Sequence, residues 1–302
     1  MNLYKNLMLL LILIWTIPVF SVDIYKNSLS LEYHAEKYLP YTWDITKNTL
    51  YGARGTIVKE IKNNDITYWK LKYSRSFFND NYGVKLSYFN MSMSDAHYGQ
   101  YYYGCYYEGT SECQNRIYYN NEVPVNRISR TDLGLGLYRY IHLKRLTLGL
   151  GFGLRKLDLK ENYEYWFSYY KERSAFLSPQ ASLTANMAIT EKFSIDMLYH
   201  YYYATGKRYL KHTISGYRDV FGSDKTRIRI NGNELDLALR YNYDKRLSFS
   251  VGYNLNYIYM KYTNYSNDPL DDYQNFSRVL AIRQNEVRDI LDGVYLGTNI
   301  LF

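Results

Sequence analysis

The sequence predicts an all-β chain: a transmembrane, antiparallel, up-and-down β-barrel of about ten strands, with twelve as the alternative. Three observations carry that prediction. Tyrosine supplies 39 of the 302 residues, and Tyr suits both strands and the membrane–water interface. Stretches with strict period-2 alternation recur along the chain, and each is long enough for a tilted membrane strand, which needs about 9–11 residues. The connections between those stretches sort by length, tight turns alternating with long polar loops, which is the layout of a barrel in a bilayer.

Composition removes the competing classes. A mean hydropathy of −0.44 and the lack of a second long apolar run exclude a multi-helix membrane protein. Aromatics at 18% argue against disorder. Two cysteines are too few for a disulfide-dense scaffold.

The elements follow in order. Lys5 precedes an apolar run from Leu7 to Phe20, and Val19 and Ser21 stand at −3 and −1 of a cleavage site before Val22. Residues 1–21 therefore read as an export signal, removed from the mature chain. Residues 22–48 alternate at Leu29, Leu31 and Tyr33, but Pro40 and Trp43 follow soon after. The expectation is a periplasmic segment or an extra hairpin, with the barrel occupying 49–302. Its strands are expected at 49–60, 66–78, 82–93, 128–141, 146–158, 175–189, 193–204, 232–243, 247–261 and 290–302. The clearest is the ninth, where Leu247, Phe249, Val251, Tyr253, Leu255, Tyr257 and Tyr259 alternate with Ser248, Ser250, Gly252, Asn254 and Asn256. Tight turns are expected at 79–81, 142–145, 190–192 and 244–246, and long loops at 94–127, 159–174, 205–231 and 262–289. The first connection, 61–65, is a short exception.

The small-and-polar face is assigned to the barrel interior. It carries Arg54, Lys70, Lys72, Lys85, Arg130, Asp132, Arg155, Asp196, His200, Glu234, Asp236 and Arg240. Isolated charges in a narrow bore are costly, so pairs crossing the lumen are expected. A plugged interior and a narrow, mildly anion-preferring pore both fit this set. Cys105 and Cys113 lie close together in a Tyr-rich loop and would close a small disulfide in an oxidising compartment. Lys207, Arg208, Lys211, Arg218, Lys225, Arg227 and Arg229 make the 205–231 segment basic, a patch for phosphorylated lipid heads or lipopolysaccharide. No cofactor, no metal site and no nucleic-acid partner is indicated.

The chain stops at Phe302, behind Val294, Leu296 and Ile300 on the same face. This resembles the last-strand signature of bacterial outer-membrane β-barrels. The resemblance implies recognition by the outer-membrane assembly machinery, location in the outer membrane of a Gram-negative-type cell, both termini in the periplasm and the long loops outside. Ten strands and about 300 residues also resemble the omptin family of outer-membrane proteases in layout. That family carries paired acids above its third strand, whereas this chain offers Asp95 and His97, one acid only. Asp95 and His97 remain weak candidates for a hydrolytic pair, and a non-enzyme is expected. The loops then read as a binding surface for an extracellular or lipopolysaccharide partner, as in opacity-type adhesins, with a narrow porin-type channel as the alternative.

Overall fold

The computed structural model describes residues 26–41, 58–62, 64–94, 97–105, 116–124, 127–165, 168–214, 220–221, 227–263 and 287–302. In chain order the strands are β1 (Lys26–Leu39), β2 (Val58–Lys62), β3 (Asp65–Phe77), β4 (Tyr82–Met93), β5 (His97–Cys105), β6 (Arg116–Pro124), β7 (Arg127–Leu143), β8 (Leu146–Tyr165), β9 (Ser168–Ala188), β10 (Phe193–Ile214), β11 (Val220–Phe221), β12 (Arg227–Asn242), β13 (Leu247–Thr263) and β14 (Val287–Leu301). Ten of them close an antiparallel barrel in the order β1-β3-β4-β7-β8-β9-β10-β12-β13-β14 and back to β1. The seam is tied at its end by Asn27 and Phe302, whose backbones exchange two hydrogen bonds of 2.9 Å. Outside the barrel, β2, β5 and β6 form a three-stranded sheet.

The count of ten agrees with expectation, but the first strand does not. Residues 26–39, expected to belong to a periplasmic segment or an extra hairpin, pair along β14 on one side and β3 on the other as a single strand of the ten. Their alternation is complete: Leu29, Leu31 and Tyr33 face outward, while Glu32, His34 and Glu36 are buried inside. Of the strand expected at 49–60, positions 49–57 lie outside the described residues. Positions 58–60 belong to β2, which pairs with β5 rather than with the barrel. With β1 in place, the first connection spans 40–64, and the short exception disappears.

The loops differ from expectation for one physical reason. Along several of the barrel strands the pattern inverts partway. In β12, Leu235, Leu237 and Leu239 face out opposite Glu234 and Asp236, yet four residues earlier Ile228 and Ile230 face in opposite exposed Arg227 and Arg229. In β8, Leu150, Phe152 and Leu154 face out, after which Leu157 and Leu159 turn in and Lys156 and Lys160 are exposed. β3, β4 and β13 behave the same way, with Ile66, Met91, Met93, Ile258 and Met260 buried. Apolar side chains outward mean a lipid environment; apolar side chains inward with charges outward mean water. The strands therefore leave the bilayer and continue as a water-bounded barrel, so the expected loop segments 159–174 and 205–231 are largely strand. Segment 94–127 holds β5 and β6. Of segment 262–289, positions 264–286 lie outside the described residues.

Above the inversion the barrel has a conventional apolar core. One cluster holds Tyr41, Leu157, Leu159, Phe176, Tyr202, Ala204, Ile228, Ile230, Ile258, Met260 and Val287. The other holds Tyr38, Ile66, Tyr68, Phe89, Met91, Met93, Ile128 and Leu291. Each buried Val, Leu, Ile, Met or Phe among them stabilises the fold by about 1.5–3 kcal/mol relative to exposure.

Below the inversion, glycines make room for tyrosines. A Cβ on Gly151 would stand 2.6 Å from the Tyr138 ring, one on Gly136 2.8 Å from it, and one on Gly149 2.7 Å from the Tyr140 ring. The Tyr295 ring covers Gly252 in the same way, and in the core above the inversion the Tyr202 ring covers Gly232. Rings laid flat on glycines line the wall of the bore and leave the space beside them open.

Candidate functional site

Three regions bear functional side chains: a charge layer across the lumen, a cavity below it, and basic rows on the outer wall. The charge layer sits at the inversion. Arg130 donates to Asp289 at 2.8 Å, and the Tyr38 hydroxyl donates to the other oxygen of Asp289 at 2.8 Å. Arg130 also reaches Asp132 at 3.3 Å, and Arg155 holds both oxygens of Asp132, at 2.8 and 2.6 Å. Arg155 and Lys70 share Glu234, with Lys70 at 2.7 Å from it. These side chains come from β1, β3, β7, β8, β12 and β14, so the layer braces the barrel across its diameter. Every charge has a counter-charge at hydrogen-bond distance, the condition under which buried ions are tolerated.

A second set lies beside it. Lys72 sits 2.7 Å from both Glu32 and Asp236. The His34 ring is stacked between Tyr68 and Tyr295, at 4.8 and 4.7 Å between centroids. Its Nδ1 meets Glu36 at 2.6 Å and its Nε2 meets Glu32 at 3.1 Å.

Of the twelve residues expected inside the barrel, Arg54 lies outside the described residues. The structure brings Lys70, Arg130, Asp132, Arg155 and Glu234 into the connected layer, and Lys72 and Asp236 into the set beside it. His200 is buried and its Nδ1 lies 2.7 Å from the Ser182 hydroxyl, the arrangement of a hydrogen-bonded lumen residue. Arg240 pairs with Asp196 at 2.6 Å. Lys85 stands over the rings of Tyr138 and Tyr140, at 4.9 and 5.8 Å from their centroids. Sequence reasoning missed Glu32, His34, Glu36, Tyr38 and Asp289. The first four lie on the strand left out of the barrel, where alternation with Leu29, Leu31 and Tyr33 was the available signal. Asp289 precedes the expected start of the last strand by one residue.

Below the layer a cavity of about 600 Å³ extends to the turns, lined by Ser30, Lys72, Lys85, Thr184, Asp236 and Arg240 among others. Asp80 and Asp244, from two of the tight turns, stand at its open end. Asp244 is exposed and accepts from the backbone N–H groups of Arg246 and Leu247, at 2.6 and 2.7 Å. Those two donors hold its carboxyl below the usual aspartate range.

On the outer wall, Lys207 stands opposite Arg227 and Arg229 opposite Lys261, all four exposed. Tyr201, Tyr203 and Tyr209 are exposed on the same face of β10. Arg208 and Lys211 belong to β10, while Arg218 and Lys225 lie outside the described residues. The Cys105–Cys113 pairing also falls outside them, since Cys113 is not described. So does the Asp95–His97 pair, because Asp95 is not described; the backbone of His97 opens β5 opposite Pro124. At the C-terminus, Val294, Leu296, Ile300 and Phe302 all project from the outer wall, with Phe302 66% exposed. Among the described residues no group of three or more His, Cys, Asp or Glu side chains is arranged to hold a metal ion.

Comparison with known proteins gives the following. A family model described as "Predicted outer membrane protein, Leptospiraceae" matches residues 23–302. No curated protein matches the sequence. Among solved structures, the outer membrane protease OmpT from Escherichia coli is similar at 12% identity and a TM-score of 0.49, covering 95% of this chain and 99% of that one. The Pseudomonas putida toluene transporter TodX is similar at 9% identity and a TM-score of 0.33, covering 93% and 90%. Ail of Yersinia pestis is similar at 10% identity and a TM-score of 0.30, covering 93% and 100%. All are outer-membrane barrels, and at these values none of their activities transfers to this chain.

Proposed function

The chain belongs to the family of predicted outer membrane proteins of Leptospiraceae, and from that premise we propose that it is a non-conducting, non-enzymatic surface barrel. Its extended outer end presents loops to an extracellular or lipopolysaccharide partner. The observation that carries this reading is the filling of the lumen. From the charge layer outward the bore is occupied by two apolar clusters, which favours a scaffold over the alternative of a porin-type channel. The exposed rows Lys207–Arg227 and Arg229–Lys261 support a lipopolysaccharide contact. They lie above outward Leu235, Leu237 and Leu239, at the height where phosphorylated headgroups meet the wall.

In this reading the tight turns and both termini face the periplasm. Recording from the refolded full chain in planar bilayers tests it: a flat trace is expected, and discrete conductance steps at physiological salt would overturn it. Lipopolysaccharide binding should weaken about tenfold in a Lys207→Ser, Arg229→Ser, Lys261→Ser variant, and unchanged binding would remove the headgroup contact. Peptide hydrolysis by wild type and His97→Ala is expected at the same background rate; a rate lost only in the variant would reinstate the enzyme.

A further inference from the structure

We propose that the cavity at the turn end is a binding site for a small acidic saccharide, whose carboxylate is held by Lys85. The cavity measures about 600 Å³, within the range of pockets that hold small molecules. It is closed on the loop side by the charge layer and open between the turns, so it is a pocket and not a passage.

Lys85 is the distinctive group. The other lumen cations have carboxylate partners: Glu234 for Lys70, Glu32 and Asp236 for Lys72, and Asp196 for Arg240. Among the described residues no carboxylate lies within ion-pair distance of Lys85. Its Nζ instead stands over two tyrosine rings that are parallel within 7° and 6.1 Å apart. Ring faces attract a cation but accept no ordinary hydrogen bond, so the three ammonium donors are free for an incoming anion. The rings are themselves held flat by Gly149 and Gly151, which keeps the ammonium in place.

The rest of the wall specifies the body of the ligand. Hydroxyls of Ser30, Ser74, Ser87 and Thr184 line the same cavity. Each can donate and accept, the pattern that matches a polyol. Asp80 and Asp244 at the open end oppose a multiply charged anion. One carboxylate on a hydroxylated ring therefore fits better than a phosphate ester.

The test is calorimetric titration of the full chain, refolded in detergent micelles, with glucuronate, glucose, acetate and inorganic phosphate at equal ionic strength. Glucuronate is expected to bind wild type at least tenfold more tightly than the other three. Lys85→Met should remove that advantage, Lys85→Arg should recover most of it, and Lys156→Met on the outer wall should leave it intact. Heat-modifiable gel mobility reports whether each variant is folded. Absence of glucuronate binding, or equal affinity in Lys85→Met, would overturn the site. Acetate or phosphate matching glucuronate would overturn the saccharide assignment. Should Lys85→Met fail to refold, the wild-type preference for glucuronate over glucose and acetate decides the matter.

Discussion

Single residues in this barrel matter according to which side of the inversion they occupy. Arg155 contacts both Asp132 and Glu234 in the buried layer. Arg155→Met would leave two carboxylates short of a partner, and breaking a buried pair from one side costs about 3–5 kcal/mol. Urea unfolding of the refolded protein should show a loss of that order; a change under about 1 kcal/mol would mean the layer is hydrated. Asp244 supplies a pH dependence whose sign follows from its environment. Its carboxyl is held below the usual range in the folded chain by two backbone donors. The stabilisation is therefore present above the unfolded value of about 4 and is lost as pH falls through the lower folded value. The difference in urea midpoint between wild type and Asp244→Ala should be seen at pH 6 and shrink toward pH 3. A difference independent of pH would contradict it.

At the scale of elements, β8 shows how packing across the wall fixes the strand. Gly151 lies under the Tyr138 ring, so Gly151→Val forces the ring off the strand and out of its contact with the Lys85 ammonium. A destabilisation of about 1–3 kcal/mol is expected from such overpacking, and refolding yield measures it. The last strand is held by its own end, since Phe302 and Asn27 close the β14–β1 seam. Deleting Phe302 should lower the surface yield; normal yield would contradict that role.

The membrane-embedded halves of the strands were legible because one period and one polarity run through them, as in Leu247–Tyr259. The upper halves were not. There the same period continues with its polarity reversed, and Arg227-Ile228-Arg229-Ile230 looks like a charged loop unless the reversal is recognised as a change of solvent. β1 was passed over for another reason: Pro40 follows it directly, although a proline just beyond a strand ends the strand and does not argue against it. The candidate site was legible in part. The lumen charges on long alternating strands could be placed by period alone, whereas the partnership of His34 with Glu32 and Glu36 depended on assigning β1.

At the scale of the molecule, the barrel is two structures stacked end to end: a lipid-bounded cylinder with a polar bore, and a water-bounded cylinder with an apolar core. The charge layer lies where they meet, and the tyrosines that dominate the composition serve both, as rings on glycines inside and as exposed Tyr201 and Tyr203 outside. This division explains how a chain in the outer membrane can carry strands as long as the 22 residues of β10, about twice what a bilayer requires.

The division is tested most directly by site-directed spin labelling along β12 of the protein in lipid bilayers. Single labels at positions 227, 229, 235, 237 and 239 are compared for collision with dissolved oxygen, which concentrates in lipid, and with a water-soluble nickel chelate. Labels at 235, 237 and 239 should favour oxygen and those at 227 and 229 the chelate, with the crossover between 229 and 235. Oxygen preference at all five positions would place the whole strand in the membrane and contradict the account.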